Sequence, residues 1–423
     1  MPSTMLSGLR VLDLSQVRAA PKTARWLADA GAEVIKLESL KRPDRGQMKV
    51  SSAADLPIPE QKQREHNRTA GMGTDQLHRD KLGLSIDLTT DIGKELFKRL
   101  ITISDVVLEN FSAGVMDRLN LGYDTLSKIR PELIMISMPA FGSSGPYRDH
   151  VGYGWGLEHQ GGISARTGYL DGPPLRTGTV TPDPLNGLHG ATAVMAALVH
   201  RAQTGEGQFI ELAHWESTLS LIGDWLLEQA FNDESEARIG NRHPIHAPQG
   251  CYRCIGNDEW VTISVTNGNE WSAFCKTIGR PDLEANERFT NVSQRRAHHE
   301  ELDAIISTWT SSRTKTEAME ILQRAGVPAG AVLSNEEALT QSQLTERGFL
   351  TEVEHPDGVI HPYMNGPWKF SRVPPMSVEH PAPLLGEHNA YILGDLLGLS
   401  ETEQRRLETS GVTANFSSKP PKE

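Results

Sequence analysis

Cysteine is scarce in this chain of 423 residues: Cys251, Cys254 and Cys275 are too few, and too odd in number, for a disulfide framework. Long hydrophobic runs are also missing. The longest, Ala191–Val199, is about half of the roughly 20 residues that a membrane helix needs. The opening MPSTMLSGLRVLDL has no basic stretch leading into a long apolar one, so a secretory signal is not expected, and the reading is a cytoplasmic, globular protein. Positive charge is short as well. Lys and Arg total 42 against 54 Asp and Glu, a net charge of −12, which argues against a chain-wide nucleic-acid footprint. A local cationic pocket for a phosphorylated small molecule stays open. No G-x-G-x-x-G, Walker or G-x-S-x-G sequence occurs, which disfavours nicotinamide, ATP and serine-hydrolase sites.

What is present suits a folded protein of two domains, because 423 residues exceed one ordinary core. Hydrophobic residues make up 38% and charged residues 23%, a globular balance, and 38 Gly and 25 Pro without a fixed period signal turns, not a collagen repeat. The first forty residues read as strand, helix, strand. Leu9–Leu14 is a short apolar run, Pro21 opens a helical stretch that stops at Gly31, and Glu33–Glu38 is the next strand. This spacing predicts a right-handed βαβ unit in a parallel sheet.

Residues 42–77, polar and rich in Pro, Gly, Gln and Arg, read as a long surface loop or lid. Alternation resumes with a helix over 92–103, a strand over 105–109, a helix near 123–129 and a strand over 133–138. A glycine-rich stretch, FGSSGPYRDHVGYGWG, follows, then a helix over 184–201, a strand over 208–212 and a helix over 216–230. The character changes near residue 231. Strands over 251–255 and 260–265 and helices over 270–278, 295–309 and 315–325 make a smaller α+β unit, and the tail is loop-rich with a helix around 390–397.

Few local motifs carry chemistry. Cys251 and Cys254 form a CxxC near His243 and His246, but nothing completes a zinc site, and on a strand the two sulfurs face opposite sides, so no metal is expected. Isolated histidines such as His150 and His214 read as structural. The most suggestive segment is TVTPDPLNGLHGATAVMAAL. Asp183 before Pro184 is a strong helix start, its carboxylate accepting amide N–H bonds with proline at the first helical position. The same geometry also serves chemistry: the helix dipole would lower the Asp183 pKa and keep it ionised as a nucleophile. Local physics leaves both readings standing.

Several blocks then stop being generic: GLRVLDLSQVRAAP…LADAGAEVIKLE, KLGLSIDLTTDIGKELF, DVVLENFSAGVMDRLNLGYDTL, GYLDGPPLRTGTVTPDPLNGLHGATAVMAALVHRAQTGEGQFIEL, GVPAGAVLSNEEAL and PLLGEHN. In order and over essentially the whole chain they resemble the class III CoA-transferase family, which includes formyl-CoA transferase, carnitine-type CoA-transferases and acyl-CoA racemases. The resemblance implies an α/β fold: a large Rossmann-like domain with a parallel sheet over residues 1–230, completed by 345–423, and a small α+β domain over 231–344 with linkers. It implies an interlocked homodimer, acyl-CoA and a small carboxylic acid as substrates, and no permanently bound cofactor.

Asp183 falls at the family's catalytic aspartate, which attacks the thioester carbonyl. Val17, Arg18, Ala19, Lys81, Asn110, Phe111, Arg118 and Leu119 align with coenzyme A contacts. The cations among them suit CoA phosphates that a net acidic protein must meet locally.

The chain also departs from the family pattern. Ser39 replaces an arginine of the adenosine site, whose role could pass to Arg42 or Arg45. Tyr153 and Gly154 stand where racemases have histidine and aspartate, and formyl-CoA transferase has a glutamate at the Gly154 position. Racemisation and an oxalate acceptor are therefore disfavoured. HPIHAPQG corresponds to a mobile glycine-rich loop in formyl-CoA transferase, and Tyr153, Glu158 and Gln249 are candidate substrate contacts. The resemblance leaves donor and acceptor open. A racemase and a non-catalytic CoA-binding subunit of a hetero-oligomer are the alternatives, the latter opposed by the presence of Asp183.

Overall fold

Short runs rich in Val, Ile and Leu become a six-stranded parallel sheet whose inner strands are buried on both faces. The computed structural model of the chain describes residues 4–39, 41, 44, 72–232, 238–355, 358–373 and 377–415. In chain order, β1 (Arg10–Asp13), α1 (Ala19–Asp29), β2 (Glu33–Glu38), α2 (Met72–His78), β3 (Lys81–Ser85), α3 (Asp91–Ile101) and β4 (Val106–Glu109) come first. Then follow α4 (Val115–Arg118), α5 (Tyr123–Ile129), β5 (Ile134–Ser137), α6 (Gly154–Gln160), α7 (Pro182–Thr204), β6 (Gln208–Glu211), α8 (His214–Ser220) and α9 (Gly223–Asn232).

The strand order is β3-β2-β1-β4-β5-β6, and every neighbouring pair is parallel. Alternate residues feed the two faces, as the period of a strand requires. Val11, Val34, Val106, Leu108 and Ile136 meet Ala24 and Leu27 of α1 and Val194 and Ala197 of α7 on one side. On the other, Leu12, Ile35, Leu84, Val107 and Met135 meet Phe97 and Leu100 of α3, Leu126 of α5, and Ile392, Leu393 and Leu407 from the C-terminal segment.

That segment also covers the edge of the sheet. Gly83 N–H donates to His388 Nδ1 at 3.0 Å, His388 N–H donates to Gly83 O at 2.9 Å, and Ser85 N–H donates to Asn389 Oδ1 at 3.0 Å. Gly83 is required by this close approach: a Cβ there would lie 2.5 Å from Leu384 O. PLLGEHN thus satisfies backbone groups that an open edge strand would expose.

The chain divides into two compact units, one formed by the described residues of 1–163, 177–233 and 345–423, the other by those of 164–176 and 234–344. The second unit holds an antiparallel sheet, β7 (Gln249–Arg253), β8 (Trp260–Ser264) and β9 (Ala329–Ala331), in the order β7-β8-β9. Its core is Tyr252, Val261, Ile263, Trp271, Phe274, Phe289, Leu302 and Leu322, with Cys254 and Cys275 buried among them. Burial pushes the Cys275 thiol up to about 12.

Several sequence expectations need correction. The end of the 42–77 stretch is helix α2, while Arg42, Arg45 and most of that stretch lie outside the described residues. The single helix expected over 216–230 is two, α8 and α9. The one over 295–309 is broken at His298 (φ −112°, ψ 30°) into Val292–Ala297 and His299–Thr310. The loop-rich tail contains an antiparallel hairpin, β10 (Leu350–Glu354) and β11 (Ile360–Met364), and a capped helix over Glu401–Thr409. No helix of the described residues is long and apolar enough to cross a membrane.

Candidate active site

The strand order reverses between β1 and β4, and in an open α/β sheet the crevice beyond the carboxyl ends of the strands at such a point is where ligands bind. Two loops meet there. Asn110, just past β4, accepts the Gln16 N–H at 2.8 Å and donates to Gln16 O at 2.8 Å, clasping the loop after β1. Val17 N–H donates to Asp44 Oδ1 at 2.8 Å, and Val17 has φ 72°, a conformation rarely adopted by a β-branched residue. Strain of this kind is held only where surroundings over-determine it, and it clusters at functional sites. Arg18 follows at the N-terminal boundary of α1, exposed, and Ala19 is the buried first residue of that helix.

Beneath the loop is a buried ionic cluster. Lys81 Nζ donates to Asp13 Oδ2 at 2.8 Å and to Pro21 O at 3.0 Å, and Lys36 Nζ donates to Asp44 Oδ2 at 3.0 Å and to Ser15 O. Lys81 and Lys36 are 2% and 1% exposed. Lys81, expected from the family resemblance to contact coenzyme A, holds its ammonium against Asp13 and the backbone of Pro21 inside the first unit. Burial, reinforced by Lys81 and Lys36, pushes the His78 imidazole down to about 3, so it is neutral.

Asp183 lies on α7. The helix begins at Pro182, which makes Asp183 a first-turn residue and not the N-cap; Thr181 holds the cap position without a side-chain bond. This corrects the expected start at Pro184. The carboxylate has no hydrogen-bond or ion-pair partner among the described residues. Burial raises its pKa to about 6 against the opposing pull of Arg18 and Lys22, so the expected lowering by the helix dipole is overruled by desolvation.

The space it occupies is made by α6. A Cβ on Gly154 would stand 2.3 Å from Asp183 Oδ1 and 2.3 Å from Val180 Cγ1. Gly187 and Gly190 allow α7 to approach α1 closely: added Cβ atoms would lie 2.7 Å from Lys22 Cβ and 2.4 Å from Thr23 Oγ1.

The remaining candidates are distributed as follows. Phe111 is half-buried, its N–H donating at 2.6 Å to Glu109, whose carboxyl is pushed up to about 7 by burial. Leu119 packs partly buried against the core, and Arg118 is exposed with Nη1 3.4 Å from Ala113 O. Tyr153 is 53% exposed immediately before Gly154. Glu158 is fully buried on α6 and accepts Thr177 N–H at 2.7 Å. Its carboxylate thus faces the backbone at Thr177 in the first unit. Gln249 begins β7 in the second unit, accepting Ser264 Oγ–H at 2.9 Å.

Two residues escaped the sequence reading. Lys22, one helical turn after Arg18, adds the second cation acting on Asp183, and its i, i+4 spacing from Arg18 was the available signal. Arg148 approaches Arg118: their guanidinium nitrogens lie 3.3 Å and 3.2 Å from where a Gly114 Cβ would be. No local pattern pointed to that pairing.

Residues 6–389 match the family model for CoA-transferase family III. The chain is 34% identical over 412 residues to succinyl-CoA–D-citramalate CoA-transferase of Chloroflexus aurantiacus, covering 97% of this chain and 98% of that one. It is 32% identical over 398 residues to succinate–glutarate CoA-transferase of Agrobacterium fabrum, covering 94% and 97%. Among solved structures, a CAIB/BAIF family protein from Brucella suis superposes with a TM-score of 0.81 at 29% identity, over 93% of this chain and 99% of that one.

Proposed function

The chain belongs to CoA-transferase family III, and from that premise we propose that it moves coenzyme A between carboxylic acids through a covalent intermediate on Asp183. The observation that carries this reading is the Asp183 carboxylate itself: desolvated, without a hydrogen-bonding partner, and flanked electrostatically by Arg18 and Lys22. Burial makes it more basic and a better nucleophile than a solvated aspartate, yet a pKa of about 6 leaves it ionised at neutral pH.

Asp183 attacks the acyl-CoA carbonyl, forming a mixed anhydride and expelling CoA thiolate. The thiolate attacks the aspartyl carbonyl of the anhydride, releasing the donor acid and leaving an aspartyl-CoA thioester. The acceptor carboxylate then displaces the thiolate to form a second anhydride, and thiolate attack on the acceptor's acyl carbon frees Asp183 and the new acyl-CoA. Keeping water from these intermediates conserves the thioester's free energy.

Coenzyme A would lie over the β1–α1 loop at Val17, Arg18 and Ala19 and along Asn110, Phe111 and Leu119, with Arg118 and Arg148 as phosphate partners. Both transferases compared above are named for dicarboxylates, and the acceptor proposed for this chain is of that class. Tyr153, exposed next to Gly154, is the residue placed to meet it.

The chain also works as a homodimer in this reading. Leu188, Met195 and Val199 share one exposed face of α7, and Leu226, Leu227 and Phe231 of α9 are likewise exposed, which is apolar surface a monomer rarely leaves open.

The test is peptide-mapping mass spectrometry after incubation with a pool of acyl-CoAs in heavy water without acceptor. A CoA or acyl adduct on the Asp183 peptide is the expected result, absent from Asp183→Ala, which still binds CoA. Transfer retained by Asp183→Ala would sink the mechanism. Deuterium at the α-carbon of recovered acyl-CoA, with no adduct, would instead indicate a racemase.

A further inference from the structure

We propose that Glu158 is a positioning residue for Asp183: its buried carboxylate fastens the backbone at Thr177, where the chain re-enters the first unit, and so fixes the turn that delivers Asp183 to its place against Gly154. The inference rests on the reading of Asp183 as nucleophile and goes beyond it, since it concerns a residue that touches neither substrate nor the reacting carboxylate.

Glu158 is 0% exposed and has no cationic partner among the described residues. A carboxylate buried without a counter-ion is costly, and at a site chosen for packing alone an apolar side chain would be the more stable occupant. What this carboxylate holds is the main chain. Oε1 accepts the Thr177 N–H at 2.7 Å, and Oε2 lies 3.2 Å from Thr177 Oγ1. Thr177 Oγ1 is in turn 2.8 Å from Thr179 O and 2.7 Å from Thr181 Oγ1.

Thr181 stands at the N-cap position of α7 without making a cap bond. The start of α7 is therefore fastened by the Glu158–Thr177–Thr181 chain and not by an ordinary cap. Gly154 and Glu158 are four positions apart on α6, so they present the same helical face to the segment that carries Asp183. One end of that face leaves room for the carboxylate, and the other ties down the segment leading to it. A reacting group misplaced by about 1 Å loses roughly 100-fold in rate while binding is little affected.

The experiment compares Glu158→Ala, Glu158→Gln, Thr177→Val and Asp183→Asn in the full-length protein, with transfer kinetics for an acyl-CoA donor and calorimetric binding of CoA. Glu158→Ala is expected to lower kcat about 10–100-fold with the Kd for CoA within about twofold. Glu158→Gln, whose amide oxygen still accepts the Thr177 N–H, is expected to recover kcat to within about threefold of the parent. Thr177→Val, which keeps the N–H bond and removes the link to Thr181, should give a smaller loss of kcat at unchanged KM.

Parent-like kcat in both Glu158→Ala and Thr177→Val would overturn the inference. So would a Glu158→Gln as damaged as Glu158→Ala, which would mean that the charge acts directly, or a raised KM at constant kcat, which would mean a substrate contact. If Glu158→Ala does not fold, Glu158→Gln and Thr177→Val decide. Transfer retained by Asp183→Asn refutes the nucleophile, whereas an inactive Asp183→Asn beside a parent-like Glu158→Ala refutes only the positioning role.

Discussion

At the scale of single residues, the properties of Asp183 come from what surrounds it and not from its place in the sequence. Its first-turn position on α7 would favour the ionised form, but burial outweighs it and sets the pKa at about 6. Two consequences follow from that sign. The nucleophile must be ionised, so kcat/KM should rise with pH through about 6 and level off above it, measured with a donor that does not titrate there.

The folded state also holds the Asp183 proton more tightly than the unfolded chain, whose aspartate titrates near its ordinary value. Stability from this group is thus complete at low pH and is lost as pH rises through about 6. Asp183→Asn should therefore be more stable than the parent at pH 7 by about 1–2 kcal/mol, a figure reduced for the partial exposure of the side chain. The advantage should vanish near pH 4. Equal melting temperatures for both proteins at pH 7 would count against a desolvated carboxylate.

Elements decide where such residues sit. Strands β1, β2, β4 and β5 were legible because each is a short, mostly apolar run buried along nearly all its length. The helices α1, α3 and α7 were legible to within a few residues for the same local reasons of spacing and breakers. The strands that escaped are β3, β9, β10 and β11: KLGLS and AGA are short and interrupted by glycine and take their partners from distant segments, while LTEVE and IHPYM mix polar and apolar residues and pair with each other in a hairpin.

The segment 383–389 was recognisable as a motif without a reason, and pairing along β3 supplies one. Asn389 accepts Ser85 N–H and donates to Ala414 O at 2.8 Å, joining the edge strand to the C-terminal segment. Asn389→Ala leaves both groups unpaired and should cost about 1–3 kcal/mol in a denaturant titration. A change below about 0.5 kcal/mol would mean that water replaces the side chain at no loss.

For the whole molecule, a net charge of −12 and a phosphate-bearing substrate are reconciled locally. Arg18, Arg118 and Arg148 are exposed in the segments that follow strands β1, β4 and β5, while Lys36 and Lys81 are spent inside on Asp44 and Asp13. The exposed apolar faces of α7 and α9 belong to the same scale. Light scattering should return twice the chain mass, and Phe231→Asp together with Leu227→Asp should shift that mass toward the monomer. A parent that runs as a monomer at micromolar concentration would remove the homodimer from the proposal.

The sequence by itself determined the parallel α/β core, the resemblance to a transferase family, and the position of Asp183 at a helix start, because apolar periodicity, turn chemistry and ordered motifs are all local signals. Only the tertiary structure decided the protonation of Asp183, the burial of Lys81 and Glu158, and the meeting of Arg118 with Arg148. Each depends on desolvation or on partners far away in the chain: Lys81 is paired with Asp13 across the sheet, and Glu158 holds a segment that returns to α6 only after the chain has passed through the other unit. A charged side chain reads as exposed until the fold supplies what buries it.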